Sequence, residues 1–470
     1  MAPGPETAAT ARLPLVAGVA MGYGHLRAAR AVSDALGTET LHVDRPPLVT
    51  PDEQRLWEAS RRFYEATSRA SQLPLVGAPL RILLETMTRI PHLYPHRDLS
   101  APTLECLSLQ RLIRKGLGRG LAQRAAESGR PLLTTFYASA ISADHHGGTE
   151  PIYCVVTDSD IHRIWVPMHP ARSRIIYLAP TRRAVQRLRA YGVPREQIEQ
   201  TGFPLPHELL GGPDLPMLQR NLAARLVRLD RKKVFRSQAR NEIQHFLGDL
   251  PAEQEGRAPL ALFSVGGAGA QAELARSLLR SLKPLLVEGR LRLCLAAGVR
   301  QEVAGRFLDW IDAAGLGNHL GPAETAVVSV MAEESLDTYF PRFNQLLATT
   351  DVLWTKPSEM TFYAALGLPL VLSSAVGHHE AYNRRWAIEN GGGLKQRHPD
   401  YAGFWIREWL AEGTLAAAAW FGFLRFPKFG LYQILERIGV PWTPPGASAT
   451  SSASESRPAM PVAASLNTRR

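Results

Sequence analysis

The feature that most constrains this chain is an alternation of short apolar runs with helical stretches that occurs twice, on either side of a strand-poor interval. The first series reads as strand Leu13–Ala20, helix His25–Leu36, strand Leu41–Val43, helices over 51–70 and Leu104–Glu127, then strands Leu132–Phe136, Ile152–Val156 and Arg174–Leu178, and helix Thr181–Tyr191. The second reads as strands Leu260–Val265, Leu291–Ala296, Val352–Trp354 and Leu368–Leu372 with helices between them. Such alternation predicts a parallel sheet with helices on both faces. Two series predict two doubly wound, Rossmann-like domains, and 470 residues exceed what one core accommodates. The expected division is an N-terminal domain over 13–204, a basic helical connector over 205–258, a C-terminal domain over 259–400 and helices over 401–442. Residues 1–12 and 443–470, rich in Ala, Pro, Ser and Thr, are expected to be disordered tails.

Ligands of such sheets sit at the carboxyl ends of strands, so the segments leaving those ends are the ones to read. Gly22-Tyr23-Gly24-His25 joins the first strand to the first helix. Glycine lets the backbone approach a ligand closely, and the positive end of a helix favours a neutral imidazole. His25 is therefore a candidate general base, or else a helix-start residue bonded only to its own loop. Asp158-Ser159-Asp160, with His162, ends a strand. Its expected part is lining of the cleft, with Asp158 contacting the acceptor or orienting His25 and Trp165 as an apolar wall. A metal site is not expected there, nor anywhere else in the chain. Gly266-Gly267-Ala268-Gly269-Ala270 follows a strand and opens a helix, where backbone N–H groups can receive phosphate; the alternative is a close helix–strand crossing.

The most specific segment is Asp351–Asn383. A strand leads into Lys356-Pro357-Ser358-Glu359, then a helix to Leu366, Gly367-Leu368-Pro369, another strand, and Gly377-His378-His379-Glu380 with Asn383. Pro357 and Ser358 fit a first helical turn. Glu359 and Glu380 are candidate acceptors for sugar or ribose hydroxyls, and the alternative for Glu359 is a surface charge complementing the helix dipole.

Taken in order, these pieces resemble the glycosyltransferase-B family that includes monogalactosyldiacylglycerol synthases and the N-acetylglucosaminyltransferase that completes lipid II. The resemblance covers about residues 13–395. Gly22, Gly24 and His25 with Ala28 and Ala29 look like the family's N-terminal Gly-rich loop and its proposed base. Thr157-Asp158 with Trp165 is similar to a strand-end motif, and Thr201-Gly202-Phe203-Pro204 to the exit of the first domain. Asp351, Lys356, Pro357, Thr361, Gly367, Pro369, Gly377, Glu380 and Asn383 match the donor-binding segment. The resemblance implies a two-domain GT-B fold, a UDP-sugar donor and an acceptor that is often a membrane lipid; the residues expected to hold the donor are Gly22, Gly24, Gly266, Gly267, Gly269, Lys356, Pro357, Ser358, Glu359, Thr361, Gly377, His379, Glu380 and Asn383, and no cofactor is expected. The chain departs from the pattern at Ser358-Glu359, where the family has Gly-Gly, at His378-His379, where it has Gln-Glu, and at Ala364, where it has the Glu that holds the ribose.

The net charge of +11 at 470 residues favours anionic partners. Arg111, Arg114 and Lys115 in one helical stretch, and the basic run from Arg220 to Arg240 in another, face either solvent or anionic lipid headgroups. The apolar stretch Leu73–Leu84, with Arg81, is a candidate for dipping into the same interface. No nucleic-acid-binding module accompanies the charge. No run of eighteen apolar residues is present, and the three cysteines lack zinc or disulfide spacing. The expectation is a cytoplasmic protein, peripheral on the inner face of the cell membrane, that transfers a sugar to a lipid-like acceptor. The alternatives are a non-catalytic nucleotide-sugar-binding protein of the same fold and a soluble sugar-nucleotide epimerase or hydrolase.

Overall fold

The computed structural model describes residues 13–59, 90–148, 150–252, 257–266, 271–375 and 377–443. Arg81 with Leu73–Leu84, Gly267, Gly269, residues 1–12 and residues 444–470 lie outside them.

The expected two doubly wound sheets are present. Strands β1 (Leu15–Gly18), β2 (Thr40–His42), β3 (Leu132–Thr134), β4 (Ile152–Val155), β5 (Ile175–Ala179) and β6 (Ile198–Gln200) form the first, in the order β2-β1-β3-β4-β5-β6. Strands β7 (Leu260–Ser264), β8 (Arg292–Gly298), β9 (Val328–Ala332), β10 (Val352–Thr355), β11 (Leu370–Leu372) and β12 (Gly393–Lys395) form the second, in the order β12-β11-β10-β7-β8-β9. Every described pairing is parallel. The strand order reverses between β1 and β3 in the first sheet and between β7 and β10 in the second. These two switch points are where such sheets form crevices for ligands.

The apolar runs become strands because both faces of each sheet are covered: β1, β3, β4, β7, β8, β10 and β11 are buried along their whole length. The helix Tyr23–Leu36 starts at Gly22 (φ +114°) and stops at Gly37 (φ +63°), both in backbone that other residues rarely adopt. Three short or atypical strands escaped the sequence reading. β6 and β12 have three residues each, and β9 carries Ser and Met on an edge. The predicted helix after Lys356-Pro357 is a 3-10 helix, Glu359–Leu366, buried throughout.

The connector is packed rather than lipid-facing at two of its basic positions. Arg225 and Arg228 are buried on the helix Pro216–Leu229. Arg225 donates to the carbonyls of Thr350, Leu366 and Gly367, and Arg228 to the Asp351 carboxylate. Leu218, Leu222, Leu226 and Leu229 join the second domain's core. At the other end the chain crosses back: Leu431, Ile434 and Leu435 of the helix Gly430–Arg437 pack with Val16, Val32 and Leu133 of the first domain. Among the described residues no helix is long and apolar enough to cross a membrane. All three cysteines are buried and free, and burial raises the pKa of Cys294 to about 11.

Candidate functional site

The two switch points face each other, and His25 stands at the first. Its Nδ1 lies 2.7 Å from the carbonyl oxygen of Thr135, the residue that follows β3. A carbonyl only accepts, so Nδ1 carries the proton and Nε2 is the basic nitrogen of the neutral ring. Thr135 Oγ1 donates back to the His25 carbonyl at 2.8 Å, and Phe136 meets the imidazole edge-on at 4.8 Å between centroids. The ring is thereby fixed by backbone and packing, and Thr135, not Asp158, orients it. Burial lowers the His25 pKa, and the charges of Asp158 and Glu359 work against that effect. A neutral imidazole with its tautomer set in this way can accept a proton at neutral pH.

Trp165 is buried behind His25, with its ring 6.3 Å away, and its carbonyl accepts from Tyr177 at 2.9 Å. His162 is half-buried on the same side, its pKa lowered to about 4 by burial first and by the neighbouring His379 next. Asp160 is an anchor of the first domain. Its carboxylate, fully buried, accepts from Arg183 at 2.6 Å and from Arg187 at 2.8 and 3.0 Å.

From the second domain, Glu359 reaches the first helix. It is buried, 3.4 Å from Arg27 Nε. A Cβ on Gly24 would lie 2.9 Å from the Glu359 carboxylate, so any larger residue there makes the Glu359 side chain shift. Arg27 itself was not anticipated. It is buried against Phe343 (4.2 Å) and Phe340 (5.0 Å), and its Nη2 stands 3.4 Å from Tyr339 Oη. The position gives no motif-like signal, since an Arg on a helix reads as surface until its partners are known. Tyr23 was missed for the same reason: its hydroxyl accepts from Val299 N–H beyond β8, and its ring sits where a Cβ on Gly298 would be.

Asn383 is a second tie between the domains. Its Oδ1 accepts from Ser159 N–H at 2.8 Å and Ser159 Oγ at 2.7 Å, and its Nδ2 donates to Asp158 Oδ1 at 2.9 Å. Lys356 Nζ donates to Glu380 Oε1 at 2.6 Å, and Gly266 gives the Lys356 stem its room. Pro357 is buried, Ser358 half-buried, and the buried Thr361 hydroxyl has no hydrogen-bond partner among the described residues. Gly377 (φ +87°) starts the helix His378–Glu389, with His379 half-buried in its first turn. The structure thus brings Gly22, Gly24, His25 and Asp158 from one domain together with Glu359, His379 and Asn383 from the other. Lys356 and Glu380 form a pair beside them on the second sheet. Arg111, Arg114 and Lys115 stand apart from this set. They are exposed at the end of the helix Leu104–Arg114, on the same side as the exposed Leu104 and Leu107.

Comparison with known proteins adds the following. The family described as Domain of unknown function (DUF6938) matches residues 251–402, within the second sheet's half of the chain. No curated protein matches. Among solved structures, the UDP-GlcNAc 2-epimerase from Neisseria meningitidis bound to UDP-GlcNAc is 10% identical, with the likeness covering 90% of this chain and 98% of that one at a TM-score of 0.46. S. aureus MnaA in complex with UDP is 12% identical, covering 91% and 97%, at 0.46. Acinetobacter baumannii MurG is 12% identical, covering 91% and 99%, at 0.45. At such identities none of them assigns an activity to this chain.

Proposed function

We propose that this chain is a glycosyltransferase that moves a sugar from a nucleotide-sugar donor, a UDP-sugar, to a lipid or other membrane-associated acceptor without a metal. The observation that carries the reading is His25 at the switch point of the first sheet, its Nδ1 proton held by the Thr135 carbonyl, with Asp158 and Glu359 as the acidic groups around it. In the reaction, Nε2 takes the proton of an acceptor hydroxyl as that oxygen bonds to the anomeric carbon. The bond from that carbon to the diphosphate breaks, and the nucleoside diphosphate leaves. The Asp158 charge favours the imidazolium that forms.

Under this proposal the turns after β7 and β10, including Gly266 and Lys356–Thr361, receive the diphosphate through backbone N–H groups and the Lys356 charge. In the closed protein Glu359 and Asn383 tie the domains together. Parting of the domains frees them, with Glu380 and His379, for ribose and sugar hydroxyls. Exposed Leu104 and Leu107 beside Arg111, Arg114 and Lys115 support an acceptor that lies in an anionic membrane surface.

The test is transfer or hydrolysis of radiolabelled UDP-, GDP- and TDP-sugars by the purified chain with and without membranes. Turnover is expected with a UDP-sugar and is lost by a factor of 100 or more in His25→Ala, the lower end of what a positioned base contributes being about 100-fold. Binding of nucleotide sugars without turnover in the wild type would instead favour the non-catalytic reading, which Ala364 and the occupied Glu359 motivate.

A further inference from the structure

On the second domain, away from the cleft, a groove of about 460 Å³ runs between the loop at Gly321–Glu324, the edge strand β9 and the helix Leu336–Thr349. That volume lies in the range of small-molecule sites. Three arginines line it: Arg257 ahead of β7, Arg292 at the start of β8, and Arg342 on the helix. Arg257 and Arg292 therefore belong to the amino ends of the strands, opposite the ends that carry the cleft.

The charge there is unbalanced. Asp351 is fully buried, and both its oxygens are taken: Oδ1 by Arg228 at 2.7 and 2.8 Å, and Oδ2 by Arg257 and the Leu260 N–H, each at 2.8 Å. Arg228 and Arg257 pair with this carboxylate, while Arg225 and Arg292 feel its charge without a hydrogen bond or ion pair to it. Glu324, the other acid close to Arg292, is exposed and paired with Arg342 at 2.7 Å. Arg292, only 7% exposed, spends Nε and Nη2 on the carbonyls of Ala326 (2.9 Å) and Ala323 (2.6 Å). Its Nη1 has no hydrogen bond among the described residues. Burial and the adjoining Arg257 lower its pKa, as expected of a cation short of counter-charge. The unbonded edge opens on the groove, and a guanidinium edge is shaped to receive an oxyanion.

We propose that this groove binds a small organic anion whose phosphate or carboxylate group is held by Arg292, with Arg257 and Arg342 flanking it and Glu333 at the far end accepting from its hydroxyl or amino groups. Thermal unfolding with added sodium phosphate, sodium citrate, or sodium chloride at equal ionic strength tests it. A saturable rise in melting temperature is expected with phosphate, citrate or both, beyond that in chloride; which of the two acts identifies the oxyanion. Arg342→Ala, on the exposed rim, and Arg292→Lys each weaken the apparent affinity at least fivefold, and Lys356→Ala in the cleft leaves it unchanged. An equal rise in chloride, no rise with either oxyanion, or an oxyanion effect undiminished in Arg342→Ala overturns the proposal. Should Arg292→Lys fail to fold, Arg342→Ala decides alone. The outcome is independent of whether the cleft turns over any sugar.

Discussion

Asn383→Asp isolates how the two domains are held together. The change keeps the side chain's shape and removes one donor. In the wild type Nδ2 donates to the Asp158 carboxylate at 2.9 Å, and Oδ1 accepts two bonds from the fully buried Ser159. In the variant, two carboxylate oxygens meet where a charge-assisted hydrogen bond stood. Loss of that bond costs about 1.5–3 kcal/mol. Like charges about 4 Å apart repel by about 4 kcal/mol at an effective dielectric of about 20. The repulsion has a ceiling, because one carboxyl can take up a proton instead, at about 4 kcal/mol at pH 7 for a group with an ordinary pKa near 4. The carboxyl that takes up this proton also becomes the donor to the other, so the net loss is held to about 4 kcal/mol at pH 7. Asp158→Asn added to Asn383→Asp restores a donor facing an acceptor and leaves the Ser159 bonds intact. The double variant should recover at least ~2 kcal/mol relative to the sum of the single changes. The shared proton of Asn383→Asp is bound more tightly in the folded protein, a raised carboxyl pKa, so the deficit shrinks as pH falls. Denaturant unfolding followed by tryptophan fluorescence, at pH 7 and at about pH 5, measures all three terms. A double variant no more stable than additivity requires, or a deficit that ignores pH, would falsify the claim that this contact joins the domains.

Two further predictions rest on burial. His25 and His162 both have pKa values below the ordinary 6.5, His162 at about 4. The unfolded chain therefore binds protons first as pH drops, and stability is lost from about pH 6.5 down through the folded-state values; His162→Asn should flatten that loss in pH-dependent thermal unfolding, and under the proposed transfer reaction, with His25 as base, the acid limb of kcat/KM should lie below pH 6.5. Asp351→Ala strands Arg228 and Arg257 without their carboxylate and leaves Arg225, whose pKa burial already lowers to about 9, with more positive charge around it; a loss of about 3–5 kcal/mol is expected, read as a fall in denaturation midpoint, whereas the exposed Arg385→Ala, paired only to Glu389 within its helix, should change the midpoint by less than ~0.5 kcal/mol.

The expectations drawn from residue pattern succeeded where one physical cause acts along the chain. Strands buried on both faces must be apolar throughout, so β1, β4, β7, β8 and β10 were visible as runs. β6, β9 and β12 were not, since edge strands carry polar residues and short ones carry little pattern. Charged residues misled the reading in the connector. Arg225 and Arg228 read as members of a basic face, and both are buried because backbone carbonyls and Asp351 supply their partners. Asp351 opens the segment that resembled a donor site, but it belongs to the amino end of β10, among those arginines, and not to the cleft.

The amino-acid sequence alone thus determined that there are two doubly wound sheets, that a Gly-rich turn delivers His25 to the end of the first strand, and that Lys356 to Asn383 occupies the corresponding ends of the second sheet. These follow from local periodicity, turn chemistry and chain order. Only the tertiary structure decided which carboxylate meets which cation. Glu359 opposite Arg27, Asn383 between Ser159 and Asp158, Tyr23 against Gly298, and the Thr135 carbonyl that sets the His25 tautomer are contacts between residues 110 to more than 300 positions apart. No periodicity encodes such pairs. The first three exist because packing brings the two switch points face to face, where buried polar groups find partners in the opposite domain; the fourth joins the turn after β1 to the end of β3 within the first sheet.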